Sequence, residues 1–168
     1  MIIKQILRFF VVVVIQIFIL NQLQFSGYIN PYLYIIFILL LPIKTPQWLS
    51  LSLAFILGLT IDVFSQSPGL HTSATLFMAY IRPSVMYSLK ISGELNKDLE
   101  PNLNNMETSW VLMYISILIL AHHTVYFFLE AFSFSFILNT VYSVLFSSMS
   151  TFVVVVLAQL LTFKKSQK

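Results

Sequence analysis

Six stretches of the chain are nearly uninterrupted in apolar residues, and each approaches the roughly 20 that a helix needs to cross about 30 Å of hydrocarbon. They cover residues 6–23, 29–43, 48–64, 70–89, 110–129 and 136–163. The first follows Lys4 and Arg8 and resembles a signal peptide in its charged start. Asn21-Gln22-Leu23-Gln24 offers no small-residue cleavage site, however, so it is read as a retained span. The second is short. Asn30-Pro31 predicts an N-cap followed by proline at the first helical position, and Pro42 and Pro46 mark its end. The sixth is long enough to tilt or to begin with an interfacial turn. Residues 65–69 (Ser-Gln-Ser-Pro-Gly) form a tight polar turn between the third and fourth stretches. Residues 90–108 are the one sizeable polar segment, where Asn104 and Glu107 have the spacing of a capping pair for the fifth helix. The pattern predicts an all-α integral membrane protein of six transmembrane helices in a single domain, residues 1–168.

Composition narrows the class further. Of 168 residues, 58% are hydrophobic and 9% charged, against roughly 25% charged in a soluble domain. A water-soluble fold and a disordered chain are both excluded. The absence of cysteine excludes a disulfide scaffold, thiol catalysis and a lipoprotein anchor. When the connections are assigned alternately to two sides, Lys4, Arg8, Lys44, Arg82, Lys90, Lys97, Lys164, Lys165 and Lys168 all fall on one side or at its boundary. These are all nine basic residues. Positive charge stays cytoplasmic, so both termini are expected inside. Trp48 and Trp110 each begin a span at that face, as an interfacial aromatic belt requires. The basic residues form no stripe, so nucleic acid is not expected as a partner.

The polar residues inside the spans fall into patterns. Ser50, Ala54, Gly58 and Asp62 recur every four residues on one slowly rotating face of the third span. Small side chains there let another helix approach closely. Asp62 ends this stripe near the outer end, either capping the outer turn and accepting hydrogen bonds from Ser65, Ser67 or His71, or binding a partner or ligand. In the fifth span Ser109, Ser116, His123 and Glu130 recur every seven residues as one face, with His122 about 100° away. Asp62, His71, His122, His123 and Glu130 are thus expected as a polar cluster in the outer half, serving interhelical hydrogen bonds. Neighbouring histidines diverge on a helix and no His-x-x-x-His or Glu-x-x-His spacing occurs, so no metal and no cofactor are expected. The sixth span repeats the small polar pattern with Asn139, Ser143, Ser147 and Thr151, expected as helix packing. Arg82 is expected to snorkel from the fourth span to the headgroups. No P-loop, dinucleotide fingerprint, nucleophile elbow or carboxylate pair is present, so an enzyme is not expected.

Gly58-Leu-Thr-Ile-Asp62, followed by Ser67-Pro68-Gly69-Leu-His71 and a fresh span, resembles the central signature of the bacterial rod shape-determining MreD family. His122-His-Thr-Val-Tyr-Phe-Phe-Leu-Glu130-Ala-Phe-Ser-Phe is similar to that family's fifth span, and the likeness extends over the chain in length, span count and charge bias. The polar stretch from Gly93 to Asn105 is longer and more charged than the family's usual connection. The resemblance implies a non-enzymatic, multi-pass subunit of the inner membrane in the cell-elongation machinery. It would associate with the bitopic protein MreC and, through it, with MreB and the peptidoglycan synthases. It also implies a bundle like the S-components of energy-coupling-factor transporters, with an outward-facing cavity near Asp62, His71 and Glu130. A small-molecule or lipid binder of the S-component kind is the alternative reading.

Overall fold

The computed structural model describes residues 2–22, 29–89, 99–132 and 137–162. Lys90, Lys97, Lys164, Lys165 and Lys168 lie outside the described residues. The regular elements among the described residues are helices: α1 (Ile2–Phe18), a 3-10 turn at Leu20–Gln22, a second 3-10 turn at Leu33–Ile35 running into α2 (Ile36–Leu39), α3 (Gln47–Ser65), α4 (Leu70–Ser88), α5 (Thr108–Ala131) and α6 (Ile137–Leu161). Four helices, Ile3–Gln22, Gln47–Ser65, Thr108–Ala131 and Ile137–Leu161, are long and apolar enough to cross a membrane. α4 is as long as α3 but more polar, because it carries His71, Thr72, Ser73, Thr75, Arg82 and Ser84.

α3 packs against α4, α4 against α5 and α5 against α6, while α1 rests on residues 33–39 and on α3. The second apolar stretch departs from its expected form. It is no continuous helix: only the 3-10 turn at Leu33–Ile35 and the single α-helical turn of α2 are helical, and the chain on either side of them is irregular. Asn30 caps nothing; the 3-10 turn starts after Tyr32 with no side-chain cap. Residues 31–42 are nonetheless buried throughout, and Tyr34, Ile35, Ile38 and Leu39 are completely enclosed. This irregular strip is the axis of the core.

Backbone that is neither helix nor sheet survives at such depth only where protein groups replace water as hydrogen-bond partners. Here side chains from the surrounding helices do so. Ser147 Oγ accepts from Asn30 N at 3.0 Å and Thr151 Oγ1 from Tyr32 N at 2.9 Å. Gln16 accepts from Tyr34 N at 3.3 Å and donates to the Pro31 carbonyl at 3.2 Å. Tyr114 Oη donates to the Leu39 carbonyl at 3.0 Å, and Arg8 Nη1 to that of Leu40 at 3.2 Å. Ile43 N reaches the Leu99 carbonyl at 3.1 Å.

Arg82 completes the set and corrects its expected role. It does not snorkel outward: it is 1% exposed and turned into the core. Its guanidinium donates to the Leu41 and Pro42 carbonyls and, through Nε, to Tyr114 Oη at 2.9 Å. A similar repair acts beside it. Pro83 lacks the N–H that would bond the Ala79 carbonyl four residues back. Gln47 Nε2 donates there instead at 3.3 Å, and to Tyr80 O at 3.2 Å.

Two other expectations at helix ends and faces change. Glu107 is the N-cap residue of α5 but makes no capping bond, its carboxylate instead accepting from Ser109 Oγ at 2.7 Å. Asn104 turns away, its Nδ2 donating to the Thr162 carbonyl at 3.4 Å. On α6, Asn139 is exposed and Ser143 half-buried; Thr140, Val144, Ser147, Thr151, Val155 and Gln159 form the packed face.

Glu100 draws the N-terminus of α1 onto the polar connection. Its carboxylate accepts from Arg8 Nη2 at 2.8 Å, Lys4 Nζ at 2.9 Å and Gln5 Nε2 at 3.0 Å. Burial alone would raise its pKa, but the hydrogen bonds and charges of Arg8 and Lys4 outweigh it and hold the pKa below the usual glutamate value. Because the folded pKa is lowered, the ionised group stabilises the fold above the ordinary value of about 4.3, and that contribution is lost as pH falls through the lowered value. Glu100→Gln is expected to cost about 2 kcal/mol at neutral pH. In tryptophan-fluorescence melts in mild detergent, the gap between wild type and variant is expected to close below about pH 4.

Candidate functional site

The turn joining α3 to α4 is built around Asp62. α3 ends with Gln66 in the left-handed region (φ 54°), and Gly69 takes φ 83° just before α4 begins. This turn carries the N-terminus of α4 back to the Asp62 carboxylate. Oδ1 accepts from His71 N at 3.0 Å and Oδ2 from Thr72 N at 2.9 Å, and the hydroxyls of Ser67 and Thr72 donate as well. The first amides of a helix have no partner within it and carry the positive end of its dipole, so a carboxylate satisfies them well. Asp62 is a remote cap, and its oxygens are occupied by its own chain. It meets His71 through the main-chain amide and not through the imidazole.

Gly58 makes the same closure possible. A Cβ at this position would stand 2.5 Å from Thr72 Cα and 2.9 Å from Thr72 N. The face formed by Ser50, Ala54, Gly58 and Asp62 is buried. It was expected to receive another helix, and the helix it receives is α4 of the same chain. Ser67 serves the carboxylate, Pro68 is exposed and Gly69 supplies the left-handed backbone.

Deeper in the core, His71 of α4 and His122 of α5 converge on Tyr34. The Tyr34 hydroxyl lies 3.0 Å from His71 Nδ1 and 2.7 Å from His122 Nε2, with Thr75 Oγ1 at 3.5 Å. The hydroxyl has one proton, so one imidazole accepts it and the other donates to its oxygen. His122 Nδ1 is buried without a partner. An orphaned N–H is rarer in buried sites than an orphaned acceptor, which places the His122 proton on Nε2 and directs the Tyr34 hydroxyl to His71 Nδ1. His123 has the opposite tautomer: its Nδ1 donates to the Ile119 carbonyl at 2.9 Å, and its Nε2 accepts from Thr151 Oγ1 at 3.0 Å. Thr151 thereby links His123 to the backbone of Tyr32. Tyr32 stacks on His123 with ring centroids 5.2 Å apart, and meets His71 and Tyr126 edge-on at 5.0 Å each. The three imidazoles are each assigned a neutral hydrogen-bonding role.

A cavity of about 430 Å³ opens beside this cluster. Gln16, Asn21, Asn30, Ser65, His71 and Tyr126 are among its walls, so it is largely polar. It lies near His71, as expected, but neither Asp62 nor Glu130 lines it. Glu130 is exposed near the end of α5 and accepts from Tyr126 Oη at 3.4 Å. The expected outer cluster is thus divided: His71, His122 and His123 come together, Asp62 joins through backbone, and Glu130 stands apart. Nor do Ser109, Ser116, His123 and Glu130 share one buried face. His123 is fully buried, whereas Ser109 and Ser116 are exposed and Ser116 bonds the Leu112 carbonyl. A seven-residue repeat drifts about 20° per step on a straight helix, and α6 covers only the side on which His123 lies. Among the described residues, no three His, Asp or Glu side chains gather as metal ligands.

Tyr32, Tyr34, Tyr126, Gln16 and Thr75 were missed by the sequence reading. The available signal was Tyr32-x-Tyr34 in an otherwise apolar stretch, because a buried tyrosine hydroxyl usually finds a polar partner. No protein-family model matches the chain, and no curated protein or solved structure is significantly similar to it.

Tyr34→Phe strands acceptors and donors on both histidines and is expected to destabilise the protein by about 1–3 kcal/mol per stranded group. Gly58→Leu is expected to lower the melting temperature at least as much, since α3 and α4 must part. Gly58→Ser would be milder. Tryptophan-fluorescence melts in mild detergent report both.

Proposed function

We propose that the chain is a six-crossing, non-enzymatic subunit of the bacterial inner membrane, with both termini cytoplasmic. It acts as an MreD-type scaffold for an MreC-type bitopic protein and, through that partner, for MreB and the peptidoglycan synthases. The crossings are α1, the buried strip 29–43 and α3 to α6. The grouping of contacts supports this count. Arg8, Arg82, residues 41–43, Leu99 and Glu100 meet at one end, while Asn21 bonds Ser65 at the other at 3.0 Å.

The observation that carries the scaffold reading is the occupation of Asp62. The acid at the centre of the signature accepts four hydrogen bonds from its own chain, so its work is to hold α3 on α4. The surface left for a partner is apolar. Ile3, Leu7, Phe10 and Val14 follow a 4-3-4 spacing along α1 and are 82%, 64%, 60% and 51% exposed, a seam suited to one transmembrane helix.

A second reading, a small-molecule binder of the S-component kind, is favoured by the polar cavity beside His71. Gentle purification separates the two. For a scaffold, an MreC-type protein co-purifies, and Leu7→Ala with Phe10→Ala lowers its recovery several-fold while the melting temperature holds. Undiminished recovery counts against this seam. A small-molecule mass retained by wild type and lost in Ser65→Leu supports the binder instead. A reporter fused after Lys168 is expected to be active in the cytoplasm, and periplasmic activity would overturn the orientation.

A further inference from the structure

At the end of the molecule away from the His71 cavity, α1 and α6 leave a cleft of about 280 Å³ between them. Val12, Ile15 and Ala158 contribute an apolar wall, and Lys4, Arg8, Glu100 and Gln159 a polar rim. Lys4 and Arg8 carry two positive charges, against the single negative charge of Glu100, to which both bind. The rim therefore retains one positive charge. Lys4 supplies it accessibly, with 63% of its side chain exposed.

Gln159 adds an independent sign of a missing partner. Its Oε1 accepts from Leu103 N at 3.2 Å, which fixes the orientation of the amide. Its Nε2 then faces the opposite way as a donor, and it has no hydrogen-bond partner among the described residues although Gln159 is only 2% exposed. An unpaired buried donor is costly, and here it belongs to a residue lining a cleft with net positive charge and an apolar wall. An amphiphile with an anionic head answers all three features.

We propose that this cleft holds one anionic phospholipid. A phosphodiester oxygen accepts from Gln159 Nε2 and pairs with Lys4, and the upper methylenes of one acyl chain lie along Val12, Ile15 and Ala158. The apolar wall selects a lipid over a free phosphate ion. The surplus charge selects an anionic headgroup over a zwitterionic one. The lipid would bridge α1 to α6, which the protein's own contacts join only weakly.

The test is native mass spectrometry of the delipidated full chain titrated with phosphatidylglycerol, phosphatidylcholine of identical acyl chains, or inorganic phosphate. Wild type is expected to bind phosphatidylglycerol at least about five-fold more tightly than phosphatidylcholine and to take up no inorganic phosphate. Gln159→Glu keeps an acceptor for Leu103 N but replaces the free donor with a negative oxygen. It is expected to weaken phosphatidylglycerol binding by about ten-fold or more. Lys4→Gln, at a position with 63% of its side chain exposed, leaves Arg8 on Glu100; it is expected to weaken binding about five-fold and decides the matter if Gln159→Glu does not fold. Equal binding of the two lipids, phosphate uptake as tight as that of lipid, or unchanged phosphatidylglycerol binding in the folded variants would each overturn the proposal.

Discussion

A stretch of backbone that forms no continuous helix, sealed inside an apolar body, must find protein partners for its unpaired amides and carbonyls, and the architecture is organised around that requirement. Residues 31–42 are buried along their length, yet only one turn of them is α-helical. In hydrocarbon each unmet backbone group costs several kcal/mol. α1, α4, α5 and α6 each supply side chains to meet it. Gln16, Arg8, Arg82, Tyr114, Ser147 and Thr151 come from far apart in the chain and bond to the same strip. Their geometry fixes where each helix stands relative to the others more sharply than apolar packing does, because apolar surfaces slide and hydrogen bonds do not.

Polarity is accordingly arranged the reverse of that in a soluble protein. Many of the helices' polar side chains point inward, while Ile3, Phe10, Phe18, Leu138 and Leu157 are exposed, as expected where the surroundings are lipid. Arg82 illustrates the exchange. A lone buried guanidinium is ordinarily expensive, but two peptide carbonyls and a tyrosine hydroxyl surround it and accept its hydrogen bonds. Glu100 does the complementary work at the rim, gathering the two basic residues of α1 onto a polar connection.

The Tyr34 cluster follows the same logic. Two imidazoles share one hydroxyl, and a third closes onto Thr151, the residue that also holds Tyr32 N. Each proton has an assigned place, so the cluster orders α4, α5 and α6 about the strip. At its edge His71 also helps to line the polar cavity, which therefore borders the structural core.

The amino-acid sequence by itself determined the class of protein: long apolar blocks, scarce charge and an aspartate at the end of a small-residue stripe announce helices in a membrane, and a close approach at Gly58. These properties are local, set by hydropathy and by spacing along one helix. The tertiary structure decided the rest. The irregular course of residues 29–43, the inward turn of Arg82, the meeting of Tyr34 with His71 and His122, and the separation of Glu130 from Asp62 all depend on which groups from distant helices arrive together. Periodicity shows which residues share a face, but not what covers that face. A buried polar group is placed by its partner, and here the partners lie from 4 to 119 residues away in sequence.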